Sequence, residues 1–302
     1  MLVKEPQEFV GSEHWCLSSL DLAFGAAVVR DRIGTTFHET FALNLPAIAS
    51  VLRVCDEHEG DLTAETIKAE TNLGPNYVKA MPMYARGAGL LELGSFRPTS
   101  LARMVLDRDP NLTRIETLWL MHYHLSAPHG PGPTFWNHLV TNSIRIGQPL
   151  RRSDVAEAIK VHLRSKDQKI LTNRTLESTA TAFLGTYAKS DGFGKLGLIE
   201  ATEETQGLYD VRQPDAAPLW VIAYALADYW DAVGNGASEL LLKDLGRQDG
   251  FAGIFCIGPG MLGTFLSELQ SASVVSIKRD APPFVVTRLW RDAAELRTNL
   301  YV

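Results

Sequence analysis

Positive charge is concentrated in one stretch of the 302-residue chain, between Arg145 and Arg174. This stretch has eight basic and three acidic residues and a net charge of +5, whereas the rest of the chain carries −11. The basic residues are Arg145, Arg151, Arg152, Lys160, Arg164, Lys166, Lys169 and Arg174. Because clustered cations neutralise phosphates, the stretch predicts nucleic-acid contact, with Asn173 and Arg174 best placed to reach bases or a groove. The alternative is the solvated face of an ordinary domain.

Four histidines lie close together in the sequence: His122, His124, His129 and His138. His122 and His124 are two residues apart, so a helix would place them on different sides, whereas zinc ligands on one helix sit three or four apart. We therefore predict buried, hydrogen-bonded histidines and no bound metal. A metal site would need His129 or His138 to fold back.

Two glycine motifs match or approach the glycine pattern of a dinucleotide-binding fingerprint. Gly192–Gly197 follows a predicted helix and precedes a strand, which is the wrong order. Gly258–Gly263 follows a predicted strand, Ile254–Ile257, and opens a helix, with Asp280 about twenty residues further on. However, the last two predicted strands are joined through Pro282 and Pro283, which favours an antiparallel hairpin over a parallel crossover. Nucleotide binding is a minor alternative.

The sequence contains no nucleophile-elbow serine, no paired catalytic carboxylates and no HExxH motif. His38-Glu39 and the pair Asp228 and Asp231 stand isolated. We expect no enzymatic activity and no cofactor.

Composition and charge limit the class of protein. With 45% hydrophobic and 21% charged residues, the chain is an ordinary globular protein with room for two or three compact units. The net charge of −6 and a pI near 5.8 argue against nonspecific coating of nucleic acid, but they allow a local basic face.

Cysteine spacing and the lack of targeting or membrane-spanning segments predict the cellular compartment. Three widely spaced cysteines form neither a disulfide framework nor a zinc motif. Met1–Val10 has no signal-peptide core, and the apolar run Leu22–Val29 is too short to span a bilayer. A cytoplasmic protein without membrane contact is expected.

The elements that would position these residues begin with a helix opened by Pro46. Thr63 predicts the cap of a second helix, and Pro75 opens a third, which Pro82 should kink or shorten. A strand, Leu90–Leu93, and a helix capped by Thr99 follow. Helices and hairpin in this order predict a winged helix. Its third helix offers Asn76, Lys79 and Arg86 for DNA contact, and a purely structural role is equally open.

A second unit with the same order is predicted around the basic stretch. Ser153 caps its first helix and Thr172 or Asn173 its second, and strands follow at Leu196–Ile199 and Gly207–Val211. After them, Pro218–Trp230 is apolar nearly all round, which predicts a central helix.

The third unit is predicted as the helix Ser238–Leu245, the strand Ile254–Ile257, the helix Met261–Gln270 and the strands Val274–Lys278 and Phe284–Thr287. The predicted fold class is mainly α with small β-wings, with two or three winged-helix units around a central helix. Its divisions are an N-terminal extension (1–34), a first unit (35–126), a second unit with the apolar helix (134–232) and a C-terminal unit (233–302). Ala127–Pro133 is the predicted linker.

Several short motifs are spread along the chain: Thr36–Leu43 with its His-Glu-Thr-Phe signature, Asp107–Pro110, Thr117–Leu125, Trp136-Asn137, Phe183–Tyr187, Leu196–Ile199 and the terminal Asn-Leu-Tyr301. Together they resemble a bacterial family known as domain of unknown function number 4007. Phe37 stands where the family usually has glycine, and the first 33 or so residues lie outside the pattern. The resemblance implies a place near DNA-phosphorothioation or other phage-defence genes, in DNA recognition or complex assembly, and implies no catalytic residues.

We therefore expect a DNA-binding accessory or regulatory component of a phage-defence system. Its partners would be double-stranded DNA, plain or modified, and other defence proteins. The alternative is a protein-interaction scaffold within a defence complex, and nucleotide binding through Gly258–Gly263 is the minor one.

Overall fold

The structure, a computed structural model, describes residues 33–302 apart from Gly60, Glu203, Glu204, Asp215, Ala216 and Asp280. The predicted N-terminal extension, except its last two residues, lies outside the described residues, as does Asp280. The described part of the chain is mostly helical and contains two small antiparallel sheets of three strands each. None of the described helices is long and apolar enough to cross a membrane.

The first four helices have local start signals in the sequence. They are α1 (Leu45–Glu57), α2 (Ala64–Thr71), α3 (Pro75–Gly87) and α4 (Ser100–Arg108). Asn44, Thr63 and Thr99 cap α1, α2 and α4 with side-chain oxygens that accept a backbone N–H of the first turn. The predicted caps at Thr63 and Thr99 are confirmed. The helix α3 runs through the buried Pro82 to Gly87, so Pro82 does not shorten it.

The predicted strand Leu90–Leu93 is wrong. Only one antiparallel bridge forms there, between Leu91 and Pro98. Two backbone hydrogen bonds flank the bridge, from the Glu92 N–H to the Arg97 carbonyl and from the Thr99 N–H to the Leu90 carbonyl, both at 3.0 Å. The pairing extends no further because the chain turns after Leu93 and α4 begins at Ser100.

The next two helices, α5 (Ile115–Ser126) and α6 (Thr134–Asn142), lie in the core. Every residue of α5 from Thr117 to Ser126 is buried. The predicted linker between them is a packed corner, in which Ala127, Gly132 and Pro133 are buried. A Cβ atom at Gly132 would overlap the Leu125 carbonyl, so the corner requires glycine there.

The segment predicted as the second unit, for which we keep that name, contains β1 (Pro149–Arg151), α7 (Arg152–Ser165), α8 (Asn173–Ala188), β2 (Ile199–Ala201) and β3 (Leu208–Val211). Its sheet has the order β1-β3-β2. Ser153 is not the cap of α7. The strand β1 leads directly into the helix, so Arg151 takes the cap position and its backbone N–H donates to the Asp154 carboxylate at 3.3 Å. The predicted strand Leu196–Ile199 starts later, because Gly194–Leu196 forms a 3₁₀ turn.

The apolar helix is confirmed as α9 (Leu219–Val233), buried along most of its length. The C-terminal unit consists of β4 (Glu239–Leu241), α10 (Leu242–Leu245), α11 (Phe251–Ile254), α12 (Pro259–Ser271), β5 (Val275–Lys278), β6 (Val285–Arg288) and the 3₁₀ segment Ala293–Asn299. Its sheet order, β4-β6-β5, repeats that of the second unit.

Two predictions for this unit are wrong and one is confirmed. The predicted helix Ser238–Leu245 begins as the strand β4, which pairs with β6. The predicted strand Ile254–Ile257 is a helix end and a buried turn, in which Cys256 has a left-handed φ of 52° that a strand does not allow. The predicted antiparallel hairpin is confirmed, with Val275 opposite Arg288 and Ile277 opposite Val286.

Candidate nucleic-acid interface

The basic stretch folds into β1, α7, the connection 166–172 and the first turn of α8. We call its exposed side the basic surface. Six of its eight cations are exposed and two, Arg145 and Lys160, are half-buried. The Thr172 side chain caps α8, with Oγ1 accepting the Thr175 N–H at 3.3 Å, and the start of this helix adds partial positive charge.

Three of these cations have partners within the chain. Arg145 donates to the Thr141 carbonyl at 2.9 Å, and Lys160 lies 3.0 Å from Glu157. Arg152 Nη2 lies 3.6 Å from Glu177 Oε2. The other five form no ion pair with any described residue: Arg151, Arg164, Lys166, Lys169 and Arg174. Their charge is therefore free to act on a ligand.

Most of α8 is not available to a ligand. The segment 37–44 covers it: the His38 Nδ1 accepts the Thr40 N–H at 3.0 Å, so Nε2 carries the proton and donates to Thr179 Oγ1 at 3.0 Å. Thr179 in turn donates to the Thr175 carbonyl. Only Asn173, Arg174 and a few residues on the same face remain exposed.

A pocket of about 270 Å³ opens between the start of α7 and the turn that joins β2 to β3. We call it the Arg152 pocket. Its lining residues are Arg151, Arg152, Ser153, Glu177, Thr205, Gln206, Gly207 and Leu208. Sequence reasoning missed the pocket and Glu177, because these residues come from three separate segments.

In the first unit, Asn76 and Lys79 are exposed on α3. Arg86 is turned inward. Its Nε and Nη2 donate to the Ser95 carbonyl at 3.0 and 2.7 Å, and its guanidinium lies 4.9 Å from the Phe96 ring. Burial lowers the pKa of Arg86. These contacts hold the turn after α3, and DNA contact by Arg86 finds no support in them.

The histidines of α5 are buried and hydrogen-bonded, as predicted. His122 Nε2 donates to the Ile254 carbonyl at 2.7 Å, so Nδ1 is the acceptor of the Tyr187 hydroxyl at 2.9 Å. His124 Nε2 lies 3.0 Å from the Tyr224 hydroxyl. Burial lowers the pKa of both histidines to about 4, so both are neutral at neutral pH.

The other two histidines lie apart from each other. The His129 Nε2 and the Tyr123 hydroxyl both bond to Asp228 Oδ2, at 2.9 and 2.8 Å. Although burial opposes it, hydrogen bonding to His129 and the nearby histidines hold the pKa of Asp228 at about 2. His138 packs against the His162 ring, 4.8 Å away between centroids. The described residues contain no group of three or more His, Cys, Asp or Glu that could hold a metal ion.

Neither glycine motif lies in a β-α-β unit among the described residues. Gly258–Gly263 starts α12 without a preceding strand, and Gly192–Gly197 forms a 3₁₀ turn. A broad groove of about 530 Å³ follows the exposed face of α12, lined by Gly260, Gly263, Thr264, Ser267, Glu268, Ser271 and Arg279.

Comparison with known proteins adds a family and a fold. A family model described as "Protein of unknown function (DUF4007)" matches residues 36–287. Two solved structures, described as "SspB crystal structure" and "Magnesium ion-bound SspB crystal structure", each superpose with a TM-score of 0.73 at 18% sequence identity. Each match covers 90% of this chain and 88% of the other, and at this identity the likeness concerns the fold. No curated protein matches the sequence.

Proposed function

The chain belongs to the DUF4007 family, and from that premise we propose that it binds double-stranded DNA as an accessory or regulatory component of a bacterial phage-defence system linked to DNA modification. The observation that carries the proposal is the basic surface. Four of its five arginines have no ion-pair partner among the described residues, whereas seven of the twelve other described arginines face a carboxylate, as Arg288 faces Asp231.

The order of the elements supports the same proposal. In the second unit a strand leads into two packed helices and an antiparallel pair follows, with β3 between β1 and β2. We take this order as that of a winged helix, in which the second helix would enter a DNA groove and the hairpin would contact the backbone. In this proposal α8 is the recognition helix and the β2–β3 hairpin is the wing.

The burial of α8 limits how such a unit could read sequence. On α8 only Asn173, Arg174, Glu177 and Thr181 are exposed. Asn173 and Arg174 lie in the first turn, so they would supply the base or groove contacts. The remaining cations would contact phosphates, which position a protein on DNA without specifying sequence. Binding should therefore be strongly salt-dependent. Asn76 and Lys79 would add contacts only if the first unit also reaches the duplex.

A second function, a protein-interaction scaffold, is favoured by apolar residues on the basic surface. Ile146, Val161 and Ile170 have exposed fractions of 45%, 48% and 41%, and they are half of the exposed large hydrophobic residues in the described chain. A partner protein with acidic and apolar groups would fit such a surface. Nucleotide binding through Gly258–Gly263 is not proposed, because the strand it requires is absent from the described segment.

The test is binding of plain and phosphorothioate-modified duplex DNA, measured by fluorescence anisotropy over a range of salt concentrations. The variant Arg151→Glu/Arg152→Glu should bind on the order of 100-fold more weakly, with a shallower salt dependence, because two phosphate contacts are lost. Its thermal stability should change little, since both side chains are exposed.

The matched control is Lys189→Glu/Lys195→Glu, which makes the same change in net charge at the other end of α8. Lys189 follows the last residue of this 16-residue helix, about 24 Å along its axis from Asn173, and Lys195 lies in the 3₁₀ turn after it; both are exposed. This variant should keep most of its affinity. Equal affinity of the wild type and the Arg151/Arg152 variant would refute DNA binding through this surface and favour the scaffold.

A further inference from the structure

The Arg152 pocket has a carboxylate, Glu177, among its otherwise basic and neutral described lining residues. Two guanidinium groups, two hydroxyls and an amide line the pocket, and Glu177 is the acid among its described lining residues. The pocket is open to solvent and, at about 270 Å³, has room for one phosphate group.

Glu177 is paired with Arg152 across the two helices. Their closest atoms, Arg152 Nη2 and Glu177 Oε2, are 3.6 Å apart, and the two side chains are 51% and 56% exposed. A half-exposed pair at this separation contributes little to stability, because water screens both charges. Stabilising the fold is therefore a weak reason for an acid at this position.

The pair does, however, occupy the group that would bind an anion. A guanidinium binds phosphate through two parallel N–H donors and does so more strongly than it binds in a single, long contact with a carboxylate. Arg151, beside it in the sequence, forms no ion pair with any described residue and would face the same anion. The carboxylate of Glu177 would then be left next to a phosphate and repelled by it.

We propose that the Arg152 pocket binds one phosphate group of nucleic acid, and that Glu177 gates it by holding Arg152 until the phosphate displaces the carboxylate. The proposal rests on the DNA binding proposed above. Arg152 must leave Glu177 before it can bind a phosphate. A phosphate that contacts Arg152 only partly therefore binds more weakly than it would without Glu177. A phosphate that enters the pocket fully gains both guanidinium groups.

The decisive variant is Glu177→Gln, which keeps the size of the side chain and removes its charge. Its matched control is Glu157→Gln, which removes the same charge from α7 outside the pocket, where the carboxylate is paired with Lys160 at 3.0 Å. With a blunt duplex at about 100 mM salt, Glu177→Gln should bind about fivefold more tightly, which is the upper limit for releasing a half-exposed ion pair. Glu157→Gln also frees a cation of the basic surface, Lys160, but outside the pocket, and it should gain less than twofold.

A double-mutant cycle then assigns the gain to Arg152. In an Arg152→Gln background, Glu177→Gln should give no more than the twofold gain of the control, because the exchanging guanidinium is gone. Duplexes with and without 5′-phosphates distinguish the two sources of the anion. A gain on both assigns the pocket to a backbone phosphate, and a gain confined to the phosphorylated duplex assigns it to a terminal phosphate.

Each contrary outcome has its own meaning. If the wild type does not bind duplex DNA at all, the proposed function fails and the gate with it. If the wild type binds but Glu177→Gln and Glu157→Gln gain equally, DNA binding stands and the gate is wrong. A gain of Glu177→Gln that persists without Arg152 also overturns the gate. Equal melting temperatures of the variants establish that affinity and not folding is compared.

Discussion

The two ends of α8 have opposite relations to their surroundings. At the N-terminal end, Asn173 and Arg174 are exposed, and Arg174 has no ion-pair partner among the described residues. At the C-terminal end, Thr186 and Tyr187 are fully buried and hydrogen-bonded. The Tyr187 hydroxyl accepts from Trp136 Nε1 at 3.0 Å and donates to His122 Nδ1 at 2.9 Å.

The difference shows that residue type alone does not separate ligand contacts from structural contacts. Histidine is a common functional residue, yet His122 uses both ring nitrogens for contacts within the fold. An arginine in a surface helix is ordinary, yet Arg174 has all its donors free of the described chain. The useful criterion is whether a polar group already has its partner, and each prediction below tests one end of the helix against the other.

Acidification should have the largest effect, and it acts through buried histidines, among them His122, which bonds to Tyr187 at the buried end of α8. Burial lowers the pKa of His38, His122 and His124 to about 4, against about 6.5 in the unfolded chain. Below pH 6.5 these histidines are protonated in the unfolded chain, whereas in the folded chain they stay neutral down to about pH 4. Stability is therefore complete above pH 6.5 and falls between 6.5 and 4, by on the order of 2 kcal/mol for each histidine at pH 5.

Urea denaturation at pH 7.5, 6 and 5 measures this loss above the range in which most carboxylates titrate. A free energy of unfolding that stays constant from pH 7.5 to 5 would contradict the burial of neutral histidines.

Tyr187→Phe should have the next largest effect. It leaves the Trp136 N–H and the His122 Nδ1 buried without partners, which costs about 3 kcal/mol. Urea denaturation measures the loss, and DNA affinity of the folded protein should not change. Tyr209→Phe is the control, since the Tyr209 hydroxyl on β3 has no hydrogen bond within the described chain, and it should cost almost nothing. Equal losses in the two variants would mean that the hydroxyl network at the buried end contributes no stability.

Arg174→Glu addresses the exposed end and should lower DNA affinity about tenfold without changing stability. Arg279→Glu makes the same charge change in the C-terminal unit, where Arg279 lies in the groove along α12. Residues 239–279 contain four acidic and four basic residues, so we expect a loss below about twofold there. Anisotropy titration of both variants checks the comparison, and similar losses would extend the interface to the C-terminal unit.

Thr172→Ala should have the smallest effect. Thr172 caps the exposed end of α8, so this variant tests both stability and DNA affinity. Loss of the cap should cost about 1 kcal/mol in urea denaturation and weaken DNA binding by about twofold, as the first turn of α8 loosens. Thr63→Ala removes a cap of the same geometry from α2, with the Thr66 N–H at the same 3.3 Å. It should cost the same stability and leave affinity unchanged. A loss of affinity in Thr63→Ala would show that the first unit also contacts DNA.

The sequence predicts helix ends well where the signal is local. Thr63, Thr99 and Thr172 each accept an N–H three residues later, so a short segment contains both partners. Ser153 fails as a cap because the start of α7 is fixed by the pairing of β1 with β3, whose residues lie about 60 positions later. The strand predicted at Ile254–Ile257 fails because a short apolar run is equally typical of a buried turn.

Of the candidate site, the sequence predicts only the concentration of positive charge. The basic residues are contiguous in sequence, so their concentration is visible there. The Arg152 pocket is not, because Glu177 reaches it from another helix and Gly207 from a hairpin. For the same reason the buried state of His122 could be predicted, whereas its partners Tyr187 and Ile254 could not.

The burial of α8 along most of its length also determines how its backbone amides should exchange with solvent deuterium. Amides near Phe183 and Tyr187 can open only when the core opens, so their exchange should report the global free energy of unfolding. Amides of the first turn need only local fraying and should exchange much faster. A ligand on the basic surface would directly slow exchange only at these fast amides. Exchange in the buried part of α8 therefore measures global stability, and exchange in its first turn measures ligand binding.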